Sequence, residues 1–276
     1  MAKNKEEKEE TALVETPKVT SVVQYDYGDH AGKGFEGQTA ADFVIPMIKI
    51  LQGLSPEVSA GKGRPGQFFH TVTEDTWDPE EGISLVPVFT QHVFGKWLKR
   101  EEGGGFRGNE TIDSKVVLEA KAKSTEFGKY FTQDKDGKTL ALRECFYLSG
   151  IQFDAESGEP ITPVVTPFAG TKIKPWRTFN SRLMYANLKD ATGKKLPLFS
   201  MTIRITSKLE TKNNNQFWVP IFSAFDKRGL QASVIAPDDV RFQMAAELHR
   251  SYIEGATRIE YEKEGADAAK EAETPF

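Results

Sequence analysis

The stretch from Gly128 to Leu148 reads GKYFTQDKDGKTLALRECFYL. Two runs rich in aromatic and aliphatic residues, Gly128 to Thr132 and Thr139 to Leu148, flank Asp134-Lys135-Asp136-Gly137. An Asp-Gly step readily adopts the positive backbone angles of a tight hairpin, so this spacing predicts two antiparallel strands joined at residues 134–137. The same punctuation recurs on both sides. Upstream, Gly61-Lys62-Gly63-Arg64-Pro65-Gly66 precedes Gln67 to Thr73, and Asp78-Pro79-Glu80-Glu81-Gly82 precedes Ile83 to Phe89. Downstream, Asn213-Asn214-Asn215 separates Leu198 to Leu209 from Gln216 to Phe225. The apolar run Ala41 to Leu51 is broken by Pro46, which suits an edge strand. The fold class is mainly β with minor α.

Helical pattern is scarce. Pro237-Asp238-Asp239 opens a segment in which Val240, Met244, Leu248 and Tyr252 recur every four residues, with early acids as N-terminal charge and Gly255 as a stop. A second helix is expected over Trp176 to Leu188, with Phe179 and Leu183 on one face. Three parts follow: an extension over 1–40, a β-rich body over 41–255 and an acidic tail over 256–276. No fixed-period repeat is visible.

The chain has 276 residues, 38% hydrophobic, with 30 aromatic rings, enough for a substantial core. A single cysteine, Cys145, excludes an internal disulfide framework and a cysteine-cluster zinc site, and it fits a reducing cytoplasm. No apolar run reaches the roughly 18 residues of a membrane span, and MAKNKEEKEE lacks a signal-peptide core. A soluble protein of the cytoplasm is therefore expected.

Catalytic patterns are thin. Gly61-x-Gly63-x-x-Gly66 imitates a dinucleotide fingerprint, but Pro65 and a strand-like run follow where a helix is required. Asp134-x-Asp136-Gly137 imitates a calcium loop, yet the twelfth position is Cys145 instead of Glu. Cys145 lies in a strand pattern, where an inert buried thiol is the ordinary case. No nucleophile elbow, Walker loop or clustered metal ligands are present, so no enzyme, cofactor or metal is expected.

Charge is the informative feature. The net charge is −4, but residues 165–229 hold twelve Lys or Arg against Asp190, Glu210 and Asp226, net +9. Segregation of this kind suggests a surface for a polyanion. Within the block Lys172, Lys174, Arg177 and Arg182 alternate with Trp176 and other rings, and Arg204, Lys208 and Lys212 precede Trp218. A second cluster holds Lys96, Trp97, Lys99, Arg100, Phe106 and Arg107. Cations that track phosphates, with rings that stack on unpaired bases, are what single-stranded nucleic acid requires. These fifteen residues are the candidate nucleic-acid-binding set, expected to converge on one surface. Phe179, Phe199 and Phe222 read as core.

The tail, with six acids and two Lys over 260–276, ends in Pro275-Phe276. It resembles the tip of bacterial single-stranded DNA-binding proteins, which implies a partner site at Pro275 and Phe276 for replication or recombination enzymes. The segments Ile45 to Val58, Arg64 to Phe68, the Trp97 cluster and Gly103-Gly104-Gly105 resemble a group of tailed-bacteriophage proteins, some assigned as single-stranded DNA-binding proteins. That resemblance implies an OB-like Greek-key barrel with extensions and a C-terminal helix, coating single-stranded DNA during phage replication and recombination. A virion or assembly protein and an annealing or nuclease-type recombination enzyme are the alternatives. Whether the chain is a monomer or homo-oligomer, and whether it prefers DNA to RNA, stay open.

Overall fold

The structure, a computed structural model, describes residues 46–254. In chain order come β1 (Ile48–Ile50), α1 (Pro56–Ser59), β2 (Phe68–His70), β3 (Thr76–Trp77) and β4 (Ile83–Leu98). Next are β5 (Phe106–Thr111), α2 (Lys115–Lys123), β6 (Tyr130–Gln133), β7 (Thr139–Phe153) and β8 (Pro160–Ala169). The last are α3 (Ile173–Tyr185), β9 (Ile203–Lys212), β10 (Asn215–Ala224) and α4 (Val240–Ile253). The extension 1–40 and the tail with Pro275 and Phe276 lie outside the described residues.

The hairpins form where turn chemistry demands. Asp134 Oδ1 accepts from the backbone N–H of Asp136 and Lys138, closing the turn between β6 and β7. Asn213 and Asn214 take φ of 50° and 66°, the left-handed pair that a two-residue hairpin needs, and they join β9 to β10.

Two long strands, β4 and β7, pair antiparallel from Ser84↔Phe153 to Leu98↔Leu140 and carry the large sheet. At one end β9 flanks β4 and β8 flanks β7; at the other end β5 flanks β4 and β6 flanks β7. The lateral order β9-β4-β7-β8 reads fourth, first, second, third among the five strands β4, β7, β8, β9 and β10, a Greek key. The expected mainly β fold with few helices is what the chain adopts. Closure of the barrel is not: β8 and β10 do not pair with each other. The β1 segment stands between them. Met47 bridges Val165 in parallel, while Gln52 mimics a strand toward β10. Its amide nitrogen donates to Trp218 O (3.1 Å) and its oxygen accepts from Trp218 N–H (2.9 Å).

The interior follows from alternation. Ile83 and Leu85 of β4, Phe146 and Leu148 of β7, Phe168 of β8 and Ile203 and Ile205 of β9 face inward. Helix α3 lays Ile173, Trp176 and Phe179, spaced three apart, onto this layer. Each fully buried side chain of this size contributes about 1.5–3 kcal/mol. On the opposite face α4 covers Val86, Val88, Ile151 and Phe153 with Met244, Ala245 and Leu248, and Tyr252 stacks on Phe89 with centroids 5.6 Å apart. Asp239 caps α4 by accepting from Arg241 N–H.

Candidate nucleic-acid interface

Directly opposed residues on neighbouring strands share a face. Phe106 opposes Trp97, Trp97 opposes Ala141, and Ala141 opposes Phe131. The register therefore lines up Phe106, Trp97, Ala141 and Phe131 as one row across β5, β4, β7 and β6. At ordinary strand spacing the row is about 14 Å long. Small residues open it: Ala141 leaves a gap between rings, and a Cβ added to Gly95 would lie 3.0 Å from Trp97 Nε1 and 3.4 Å from Phe106 Cε2. With no side chain at Gly95, the two rings meet over the strand at 5.2 Å and 55°. Trp97 and Phe106 are half-buried, and Phe131 is 48% exposed. Lys99 Nζ lies 5.6 Å from the Phe131 ring centroid, a cation beside the platform. Arg143, opposite Gly95, shares this face.

The reverse face of the same four strands is backed by α2. Val117 and Ala120 pack on Phe94 and Leu142, with Val116 and Tyr130 at the margin, and Ser114 caps the helix. Lys96 is on this reverse side, since it opposes Leu142 and pairs with Glu110 at 2.6 Å. Lys96, Arg107, Lys135 and Lys138 line a cleft of about 440 Å³ there, together with Glu110 and Asp134. A strand's two-residue period thus parts Lys96 from Trp97, which the linear cluster had placed together. Arg100 lies in the turn after β4.

The basic block does not converge with the Trp97 row. Strand β9 pairs with the start of β4, through Ile83↔Ile205 and Leu85↔Ile203, and then runs past it. Lys208 and Lys212 on this hairpin therefore sit beyond the opposite end of β4 from Trp97. Arg204 Nε donates to Glu81 O (3.0 Å), and Lys208 pairs with Glu210 at 2.7 Å. Trp218 is half-buried against the interior, where a Cβ on Gly66 would come within 2.6 Å of its ring; that packing accounts for one glycine of the dinucleotide-like motif.

On α3 the correction is sharper. Trp176 is 0% exposed and packed in a three-ring cluster with Phe168 (5.6 Å) and Phe222 (5.4 Å), which also touch each other (5.1 Å), so it cannot stack on a base. Its basic neighbours Lys174 and Arg177 are exposed because a helix turns adjacent residues to different sides. Arg177 bonds to Glu144 at 2.6 Å and lies over the Phe146 ring, while Lys172 is half-buried and Arg182 exposed. Phe179 and Phe222 are core, as read; Phe199 is partly buried.

The row was invisible in the sequence because its members lie up to 44 positions apart and only register unites them. Phe131 was passed over, as was Phe127, which is 97% exposed in a loop fixed by the Ser124 hydroxyl. The alternation of Tyr130 and Phe131 opposite Leu142 and Ala141 was the available signal.

Midway along the row's face the surface closes, where Met47 and Val165 pack on Val93, Cys145 and Tyr147. Burial there pushes the Cys145 thiol up to about 12, outweighing its hydrogen bond with Tyr147. The sign follows: this burial stabilises the fold fully below the thiol's ordinary value of 9.0 and is lost as pH climbs from there through about 12. At pH 8 iodoacetamide should label the native protein about a thousandfold more slowly than the urea-unfolded chain, the ratio of the two thiolate fractions. Equal rates would mean that Cys145 is accessible.

Among the described residues no helix is long and apolar enough to cross a membrane. A family model described as Pam3 phage gp34-like protein matches residues 9–258. No curated protein and no solved structure matches the chain.

Proposed function

The chain belongs to the Pam3 phage gp34-like protein family, and from that premise we propose that it binds single-stranded DNA during phage replication or recombination. The observation that carries this reading is the row Phe106, Trp97, Ala141 and Phe131 with Lys99 beside it. Rings on a sheet stack bases without regard to sequence, and cations hold the phosphates that pass between them. The strand order lends support. A partly open, five-stranded Greek key with a helix between its third and fourth strands has the OB-type plan, which binds oligonucleotides on its sheet face and through the connection between its first two strands. Here that connection carries β5, α2 and β6, and hence half of the row. The protein performs no chemistry of its own in this reading. Residues 256–276, with Pro275 and Phe276 foremost, recruit replication or recombination enzymes.

Fluorescence anisotropy with a labelled single strand, the matching duplex and the matching RNA tests the proposal. Single strands should bind tightest, with log affinity falling against log salt at a slope of about −0.7 per phosphate contacted. Preference for duplex, or affinity indifferent to salt, would remove the reading. Absence of all binding would favour a virion or assembly role, and cutting with magnesium or manganese a recombination enzyme.

A further inference from the structure

Residues 172–195 contain Lys172, Lys174, Arg177, Arg182, Lys189, Lys194 and Lys195 against Asp190 alone. The carboxylate of Asp190 is turned into its own loop. It accepts from Thr192 N–H, Thr192 Oγ1 and Lys194 N–H, bonds that hold it below the usual carboxylate range. Among the described residues none of Lys174, Arg182, Lys189, Lys194 and Lys195 is in an ion pair.

Helix electrostatics account for part of this. Arg182 is in the last turn of α3, and Lys195 Nζ reaches Met184 O at 3.4 Å; cations gain at a helix C-terminus. The remainder is placed at a cost. Lys174 is in the first turn of α3, which lacks an acid and where a cation opposes the helix dipole. Lys189 and Lys195 directly oppose each other in an antiparallel bridge, and like charges so placed repel. At the C-terminal end of α3, three positions after Arg182, Tyr185 is 85% exposed and next to it Met184 57% exposed, on a helix whose other side buries Ile173, Trp176 and Phe179. Cations without an ion pair on the same element as an exposed ring match the combination of Lys99 and Phe131 in the aromatic row.

The two surfaces cannot be one. Helix α3 packs on the Phe146 and Leu148 face of β7, whereas Trp97 and Ala141 occupy the other face of the β4–β7 pair. We propose that the α3 surface is a second single-strand site, so that one molecule holds two DNA strands at once, one on each side of the sheet. This rests on the reading of the row as a single-strand site. It adds an activity that coating alone does not supply, the bridging of two strands.

Oligonucleotides of about ten nucleotides fit one groove of this type without wrapping to the other face. Native mass spectrometry of the full chain then counts strands per protomer, a ratio that self-association does not change. Two strands per protomer are expected, with energy transfer in a mixture of donor- and acceptor-labelled strands. In Lys189→Gln/Lys194→Gln one strand should remain at unchanged affinity, the second should weaken at least tenfold, and its salt slope should shrink by about 1.4. Tyr185→Ser should weaken the second strand about fivefold or more. One strand per protomer in the unmodified chain, or a second strand untouched by these variants, overturns the proposal and leaves the row's reading standing. Binding of no strand overturns both.

Discussion

Trp176→Ala should lower the folding free energy by about 3–5 kcal/mol, the range for emptying a fully buried large aromatic site. Against a typical total of about 5–15 kcal/mol, that leaves a protein near its unfolding threshold. The argument is geometric. The indole is 0% exposed and stacks on Phe168 at 5.6 Å and 25°, and Phe222 touches both rings, at 5.4 Å and 5.1 Å. Phe179 stacks on Phe222 in turn, so four rings from α3, β8 and β10 form one contact chain. Truncation leaves a cavity at the junction of three elements that cannot all move inward together. Urea unfolding followed by tryptophan-independent circular dichroism measures the loss as a lower midpoint at unchanged slope. Trp176→Phe, which keeps a ring against Phe168, should recover most of it. At temperatures where Trp176→Ala stays folded, its single-strand affinity should match that of the parent. A large loss of binding with little loss of stability would return Trp176 to the DNA surface and contradict its burial.

Trp176 also shows where linear reading succeeds and fails. Its neighbours Lys174 and Arg177 suggested a basic, ring-bearing surface, but a helix sends adjacent residues to different sides, and the cations and the indole parted company. The period of α3 itself was legible, because Phe179 and Leu183 fall on one stripe with Trp176. Hairpins were legible too, since Asp134 to Gly137 and Asn213 to Asn215 carry their turn geometry in their own side chains. Strand β4 was not: the reading stopped at Phe89, whereas the strand runs on to Leu98. Pro87 and Gly95 interrupt its pattern, and both coincide with register shifts, where a strand bends instead of ending. Helix α2 was missed because Lys115 to Lys123 has only Val117 and Ala120 buried, a stripe too narrow to signal a period. The β1 strand was legible in the apolar run Ala41 to Leu51, but its place between β8 and β10 was not, since Gln52 reaches Trp218 across 166 positions.

Trp97→Ala and Phe131→Ala should each weaken single-strand binding by about 1–3 kcal/mol, or roughly 5- to 150-fold, and together they should all but abolish it. Additivity is expected for this pair because Ala141 and a whole strand separate the rings. Trp97 and Phe106 touch at 5.2 Å, so Phe106→Ala combined with Trp97→Ala should cost less than the sum of the two. Lys99→Ala should act differently, reducing the salt slope by about 0.7, the share of one phosphate. Ala141→Glu places a carboxylate between the rings and should repel the backbone that the rings attract. The reverse face supplies the control. Lys96 pairs with Glu110 behind the sheet, and Lys96→Ala should leave binding within about twofold. Anisotropy titrations at two salt concentrations, with melting curves to confirm folding, measure all of these. If Lys96→Ala weakens binding as much as Trp97→Ala does, the strand crosses the α2-backed cleft instead. Should Trp97→Ala and Phe131→Ala both bind normally, the row is a surface cluster that DNA does not touch, because stacked rings cannot be removed at no cost.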